Sequence, residues 1–309
     1  MAGPKSCAGA AAEAYDAAVS VLLRVAYDGT DFHGYAAQKP RPDGTEIRTV
    51  QVEIEKALAA LYKTALRART ASRTDAGVHA LGQLVAFDPP THIPMPGLVR
   101  GLNSKIPDDV VIVAAWEEPG FIDVRHGSEG KYYRYRIRCT EVRDPIQRRQ
   151  EWNLGRRLDP RSMKTAAASF PGRHDYASFR ASGCQSKTTE RVVEQVEITH
   201  GATALGPMGD PGRLDARVCS GDAQPGPASA WGPDWLEVHV WGQAFLMNMV
   251  RIMVGTLVEV GLGRRAPASI DALFDAPDRT KAGITAPACG LTLVEVRWPP
   301  EGERIRNRG

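Results

Sequence analysis

The order in which strand-like and helix-like segments follow one another constrains the fold of this chain more than any other feature. Val19 to Tyr27 has apolar side chains at alternate positions, which predicts a strand, and Val50 to Tyr62 has an apolar stripe at helical spacing. The rest of this half is predicted as strands at Thr64–Arg69 and Gln83–Phe87, a short helix at Met95–Asn103 and a strand at Asp109–Trp116. The resulting order is β-α-β-β-α-β, the ferredoxin-like arrangement of many RNA-binding modules.

The same order recurs in the second part of the chain. Its predicted elements are a strand at Gly130–Cys139, a helix at Pro160–Phe170, strands at Thr188–Thr199 and Trp235–Trp241, helices at Phe245–Gly261 and Ala268–Phe274, and a last strand at Gly290–Trp298. We therefore predict an α+β protein with two similar halves, residues 19–120 and 121–300, and a boundary near Gly120. The repeat is one of pattern rather than of residues.

Three further segments are predicted to lie outside the packed halves. Residues 1–18 are an Ala-rich tail, and residues 301–309 form a basic one. Residues 201–230 are rich in Gly, Pro, Ala and Asp without periodicity, which indicates a flexible insertion between two strands.

The cysteines and the apolar runs bound the class of protein. The five cysteines are scattered and form no Cys-x-x-Cys pair, so they favour neither a disulfide framework nor a zinc site, and they fit a reducing cytoplasm. No apolar run has the length of a membrane span. The net charge is only +3, so the distribution of the charge says more about nucleic-acid binding than its total.

The segment between the second and third predicted strands places three polar side chains, Arg73, Asp75 and His79, within seven positions. Gly77 allows a sharp turn among them. A charged loop with a local Arg–Asp pair is one interpretation, and a catalytic carboxylate is the other.

The strand that begins the second half has two different faces. Tyr133, Tyr135 and Ile137 point one way, and Arg134, Arg136 and Arg138 point the other way. Three arginines on one face need water or anions, and phosphates are one such anion, although an ordinary solvated face is the alternative. Tyr133 lies near the start of the strand, where its ring either joins the core or stacks on a base.

The helix predicted at 245–261 has a single cation, Arg251, in the otherwise apolar run of residues 245–258. A guanidinium there requires an anionic partner unless it reaches the surface, because an unpaired buried charge costs roughly 3–5 kcal/mol. Asp75 is the candidate partner from the first half.

Three segments together resemble the tRNA pseudouridine synthase family of the TruA type. They are Arg73-Thr-Asp-Ala-Gly-Val-His-Ala80, Lys131-Tyr-Tyr-Arg-Tyr135 and Met249-Val-Arg251. The first matches the family motif over eight residues without a gap, and the resemblance extends over about residues 20–298. It implies a pseudouridine synthase fold with a central, mostly antiparallel sheet and a basic cleft between two halves. It also implies a homodimer that acts on the tRNA anticodon stem–loop at positions 38 to 40, with neither metal nor organic cofactor.

The resemblance also assigns roles to individual residues. Asp75 matches the catalytic aspartate, Tyr133 the tyrosine that stacks on the target uracil, and Arg251 the arginine that pairs with the aspartate. Arg73 matches an arginine that holds the flipped nucleotide, and Leu291 an apolar position that lines the base pocket. Arg134 and Arg136 are added as candidate contacts to phosphates. His79 is interpreted as a structural hydrogen-bonding residue.

The chemistry agrees with a single carboxylate. Conversion of uridine to pseudouridine breaks a C–N bond and forms a C–C bond to the same sugar, so one unprotonated carboxylate suffices, as a nucleophile or as a base. A hydrolytic glycosidase would need two. One alternative function is a non-catalytic RNA-binding protein on the same fold, which would not need Asp75 and Arg251 together. The other is a metal-dependent nuclease, which would need several converging carboxylates or histidines.

Overall fold

The computed structural model describes residues 19–201 and 234–299. The predicted tails at 1–18 and 301–309, and the predicted insertion apart from its first residue, lie outside these ranges. The strands are β1 (Val19–Tyr27), β2 (Arg69–Thr70), β3 (His79–Phe87), β4 (Val110–Pro119), β5 (Gly130–Arg138), β6 (Trp152–Asn153), β7 (Gly172–Asp175), β8 (Glu190–Gly201), β9 (Trp235–Gly242) and β10 (Leu291–Arg297). The helices are α1 (Val50–Tyr62), α2 (Met95–Asn103), α3 (Pro160–Ala167), α4 (Met249–Gly261) and α5 (Asp271–Asp275).

The described strands form one large sheet in the order β4-β1-β3-β10-β5-β9-β8-β7, with β2 paired to β3 and β6 paired to β5. The pairs along this order are antiparallel except the one between β3 and β10, which is parallel. The protein is therefore a mixed α and β fold with a large, mostly antiparallel sheet, as predicted. None of the helices in the described ranges is long and apolar enough to span a membrane.

The pairing of β3 with β10 joins the first and second parts of the chain. Thr292 lies opposite His79 and Leu293 opposite Ala80, at the beginning of β3. The other end of the same β3 edge is taken by β2, through Arg69 and Thr70. The segment that carries Asp75 lies between β2 and β3, so it emerges where the two parts of the sheet meet.

The apolar side chains explain why the helices pack where they do. In α1 the apolar stripe is buried at Ile54 and Leu58 and half-buried at Leu61. In α4 all but two of the thirteen residues are buried. The helices α3 and α4 pack against each other, and Asp159, the residue before α3, donates its backbone N–H to the carbonyl of Gly261 at 2.9 Å. The C-terminal end of α4 is thus tied to α3, which leaves its N-terminal end for the region of Asp75.

Several predicted elements were wrong in part. The strand predicted from Gln83 begins at His79, because Ala80 pairs with β1 and His79 with β10. The helix predicted to Phe170 ends at Ala167, and the one predicted at Ala268–Phe274 is a 3-10 turn at Pro267–Ile270 followed by α5. The strand predicted at Thr64–Arg69 is reduced to Arg69–Thr70, because side chains of α1 take up the backbone groups of Ala68: Glu55 Oε1 accepts from its N–H at 3.0 Å, and Gln51 Nε2 donates to its carbonyl at 3.2 Å. The helix predicted from Phe245 begins at Met249, after Asn248 in the left-handed conformation (φ 60°). The short strands β6 and β7 were not predicted.

Candidate active site

The loop of residues 71–78, between β2 and β3, holds Asp75 by hydrogen bonds on both sides of it. Thr74 accepts the N–H of Tyr35 on its carbonyl at 3.1 Å, and its hydroxyl lies 2.7 Å from that of Tyr27. Gly77 donates its N–H to the carbonyl of Phe32 at 3.3 Å. The backbone of the loop is therefore fixed to β1 and to the segment that follows it, so the carboxylate has a defined position.

Gly77 is required at its position for two reasons. Its φ of +78° lies in the left-handed region, and a Cβ there would lie 3.1 Å from the Cβ of Ala288. The loop therefore approaches the segment that leads into β10 closely.

Asp75 meets Arg251 across this junction, although 176 positions (251 − 75) separate them. Arg251 Nη1 lies 3.7 Å from Asp75 Oδ2, and the guanidinium also donates to the carbonyl of Ala286 and to Asn248 Oδ1, each at 2.7 Å. Arg251 is the third residue of α4, where the helix dipole disfavours a cation. Its place is therefore not explained by helix stability, whereas the carboxylate and the two hydrogen bonds account for it.

The carboxyl group of Asp75 is under two opposing influences. Burial raises its pKa above the ordinary 3.8, and the charge and hydrogen bonding of Arg251 lower it, with burial the larger effect. The Asp75 side chain retains 33% of its exposure. The group is thus partly desolvated yet open to a ligand, and Arg251 is what opposes its protonation.

Tyr133 lies close to this pair. Its hydroxyl is 3.0 Å from Ser72 Oγ, and its ring meets Phe245 edge to face with the centroids 5.2 Å apart. Burial, together with the negative charge of Asp75, raises the pKa of the tyrosine to about 12, against a smaller lowering by the bond to Ser72. The ring is largely buried, so in this structure it packs in the core and presents little of its surface to a base.

The two other residues assigned by resemblance differ in their surroundings. Leu291 is buried at the start of β10, opposite Tyr135. Arg73 is exposed, and its guanidinium makes no ion pair or hydrogen bond with any residue that the structure describes. It is therefore available to an anionic ligand.

The structure does not place Arg134 and Arg136 beside Asp75. They point to the face of β5 opposite Tyr133, and both contact Glu237, at 3.7 Å from Arg134 Nε and 2.7 Å from Arg136 Nη2. The third arginine of this face, Arg138, contacts Glu151 and Asp144. Carboxylates of the protein thus occupy the positions for which the sequence had suggested phosphates.

His79 has partners for both ring nitrogens. Nδ1 accepts the N–H of Gly29 at 3.0 Å, and Nε2 lies 3.1 Å from the carbonyl of Cys289. Nδ1 also lies 3.1 Å from Asp28 Oδ1. The side chain is buried and links the turn after β1 to the segment before β10, which agrees with a structural role.

Sequence reasoning missed Ser72 and Asn248, which orient Tyr133 and Arg251. Asn248 was assigned to the interior of a helix, yet Asn is among the residues that adopt the left-handed conformation and favour helix N-termini. Within the described ranges, no group of three or more His, Cys, Asp or Glu side chains is arranged to hold a metal ion.

Comparison with known proteins identifies the family. A family model described as tRNA pseudouridine synthase matches residues 166–299. The tRNA pseudouridine synthase A of Pelobacter propionicus is 38% identical over 280 residues, which is 90% of this chain and 99% of the relative. That of Geobacter sulfurreducens is 39% identical with the same coverage, and that of Syntrophotalea carbinolica is 38% identical over 91% of this chain and 97% of the relative. Because the similarity extends over nearly the whole length of both proteins, this chain belongs to the tRNA pseudouridine synthase A family of isomerases.

Proposed function

We propose that this enzyme isomerises uridines in the tRNA anticodon stem–loop, at positions 38 to 40, with Asp75 as the catalytic carboxylate. The observation that carries the proposal is the contact between Asp75 and Arg251 at the junction of the sheet, 3.7 Å apart, with the carboxylate partly exposed. A uridine in a stem must leave the stack to reach such a group.

Each residue of the site has a role in this scheme. Ionised Asp75 either forms a bond to the sugar carbon C1′ or removes the proton on C2′, and in both cases the C–N bond breaks with its electron pair going to the uracil. The uracil then rotates and bonds through C5 to C1′, which releases the carboxylate or returns the proton to the sugar, and C5 loses its proton. Arg251 keeps the carboxylate ionised against the effect of burial. Tyr133 forms a wall of the base pocket together with Leu291, and the exposed Arg73 holds a phosphate of the flipped nucleotide. For Tyr133 to stack on the base, its ring must gain exposure when RNA binds.

The strand order supports a division into two ferredoxin-like halves, residues 19–120 and 121–300, around a basic cleft. The first half has the order β4-β1-β3-β2 and the second β10-β5-β9-β8. When the short strands β6 and β7 of the second half are left aside, each half has four strands. In each, the fourth strand lies beside the first, and the third lies between the first and the second, as in the ferredoxin-like pattern. By resemblance, we also propose a cytoplasmic homodimer that contacts tRNA with both subunits. Light scattering with and without RNA tests the oligomeric state.

Pseudouridine mapping after incubation with unmodified tRNA tests the proposal. We expect pseudouridine at positions 38 to 40 with the parent enzyme. Asp75→Asn should fold and bind tRNA but form none, because it keeps the size of the side chain and removes its charge. Asp108→Asn is the matched control, since Asp108 is exposed and lies outside the site.

The possible outcomes separate the alternatives. Pseudouridine formation by Asp75→Asn near the parent rate would refute the catalytic role. Binding of tRNA by the parent without any modification would favour the non-catalytic RNA-binding protein. Cleavage of the RNA that EDTA abolishes would favour the nuclease.

A further inference from the structure

Residues 140–150, which connect β5 to β6 and are called here the 140–150 loop, contain three arginines and two acidic residues, Glu141 and Asp144, and the proposed function has not used them. Three of its arginines, Arg143, Arg148 and Arg149, are exposed. Arg143 and Arg148 pair with no carboxylate among the residues that the structure describes, and Arg148 donates to the carbonyl of Pro145 within the loop. Arginines of this kind are available to bind anions.

The arginines of β5 hold this loop in place. Arg138 contacts Glu151, the residue after the loop, and also Asp144 within it, at 3.2 Å. Arg136 Nη1 donates to Gln147 Oε1 at 3.3 Å. Asp144 Oδ1 in turn accepts the N–H of Ile146 at 2.9 Å. The strand arginines therefore neutralise protein carboxylates and at the same time fix a loop whose own arginines point to solvent.

The loop is attached to the segments on both sides of Asp75. On one side, Arg149 Nη1 lies 3.7 Å from Asp31 Oδ2, and the next residue, Phe32, accepts the hydrogen bond of Gly77. On the other side, Glu151, which follows the loop directly, accepts a hydrogen bond on its carbonyl from Cys289 Sγ at 3.4 Å. Cys289 follows Ala288, which lies against Gly77.

We propose that the 140–150 loop binds the RNA phosphate backbone beside the target nucleotide, through Arg143, Arg148 and Arg149. Guanidinium groups match phosphate oxygens in geometry and charge. The pair between Arg149 and Asp31 is exposed and long, so little free energy opposes its exchange for a phosphate. This inference rests on the proposed function, because it assigns to the loop the backbone of the same substrate.

The test compares a triple variant of the loop with a matched control. The variant is Arg143→Gln, Arg148→Gln and Arg149→Gln, and the control is Arg161→Gln. Arg161 is exposed on α3, which packs against the C-terminal end of α4. That end of α4 lies about 15 Å along the helix axis from Arg251. The ligand is an unmodified anticodon stem–loop RNA, titrated at several salt concentrations.

We expect the triple variant to raise the Kd for the RNA by about tenfold or more. The magnitude of the slope of log K against log salt should fall by about two, because each phosphate that the protein no longer neutralises contributes roughly 0.7 to it. The effect should appear in KM, with turnover at saturating RNA close to that of the parent. Replacement of the same three residues by Lys should restore most of the salt slope, because it restores the charge. The Arg161→Gln control should match the parent.

The results distinguish this inference from the proposed function. If the parent forms no pseudouridine, the proposed function fails, and the salt slope still shows whether the loop binds RNA. If the parent is active but the triple variant binds with the Kd and slope of the control, the loop proposal is overturned. A fall in turnover with an unchanged Kd would overturn it as well, since it would place the loop in the chemistry rather than on the backbone.

Discussion

At the scale of single residues, the pair of Asp75 and Arg251 predicts how activity depends on pH. In the proposed mechanism the reaction needs the ionised Asp75 carboxylate, whose pKa is raised by burial and lowered by Arg251. Arg251→Met removes the lowering influence, so the acid limb of the single-turnover rate should move to higher pH. Arg251→Lys keeps the charge and should leave the limb nearer its original position. If the acid limb lies at the same pH for the parent and for Arg251→Met, Arg251 does not control the ionisation of the group that the rate reports.

The same pKa shift makes a prediction for stability. Because the pKa of Asp75 is raised on folding, the stability that this carboxyl contributes is fully present below its unfolded pKa and is lost as the pH rises through its folded pKa. Asp75→Asn removes that loss. The Tm of the variant minus that of the parent should therefore become more positive as the pH rises from about 4 to neutral. Thermal melts across this range check the trend, and Asp108→Asn, an exposed carboxylate, should show none of it.

Tyr133 allows its ring and its hydroxyl to be tested separately. Tyr133→Phe removes only the hydrogen bond to Ser72, at a cost of about 0.5–1.5 kcal/mol in the free energy of unfolding, and should bind tRNA normally. Tyr133→Leu also removes the ring that packs on Phe245 and, if that ring stacks on the base, about 1–3 kcal/mol in handling the flipped nucleotide. Equal single-turnover rates for the two variants would show that Tyr133 is a core packing residue and does not stack on the base.

At the scale of elements, the sequence predicted best where one side-chain pattern decides the structure. The strand β1 and the helices α1 and α2 have the predicted bounds, because their apolar residues repeat at a single period. The start of α4 was misplaced by four residues, since apolar side chains continue upstream into Phe245, which packs against Tyr133 outside the helix. The strands β6 and β7, of two and four residues, are too short to show a period.

The candidate site divides in the same way. The pairing of Asp75 with Arg251 could be predicted, because a lone cation in an apolar helix requires an anion. The partners of Arg134 and Arg136 could not, because Glu237 lies on a strand about a hundred positions away and only the pairing of β5 with β9 brings it near.

The connection between β8 and β9 leads to a prediction about residues 202–233. The N–H of Asp234 donates to the carbonyl of Gly201 at 2.9 Å, so the two ends of the connection are already adjacent in the ladder. Replacing residues 202–233 by a short Gly/Ser turn should therefore leave the Tm and the turnover on an isolated anticodon stem–loop nearly unchanged. Loss of folding, or of turnover with that RNA, would show that the segment contributes to the enzyme.

At the scale of the whole molecule, the joint between β3 and β10 combines the two parts of the sheet into one. A Cβ on Gly82 in β3 would lie 2.5 Å from the carbonyl oxygen of Val294 in β10, so the strands can approach here only because Gly82 has no side chain. Gly82→Ala should destabilise the protein by about 1–3 kcal/mol and reduce turnover, because the site lies beside this joint.

Gly97 in α2 provides the control for this substitution. A Cβ there would come no closer than 3.9 Å to its nearest neighbour, and alanine favours a helix over glycine by about 0.5–1 kcal/mol. Denaturant titration should therefore show Gly97→Ala at or above parent stability. A Gly82→Ala variant with parent stability would mean that the joint can relax without cost.

The central position of β10 has a consequence for the order of folding. This strand is the last of the described elements in the chain, yet it lies between β3 and β5, and its contacts with β3 link residues 213 positions apart (292 − 79). During synthesis the earlier strands leave the ribosome with one edge of β3 only partly covered, and contacts of such long range form slowly. Ala286, which accepts a hydrogen bond from Arg251, and Ala288, which lies against Gly77 in the loop of Asp75, are synthesised only with this final stretch. A chain that stops before Leu291 would therefore contain Asp75 and Arg251 but would lack the strand that joins the sheet beside them.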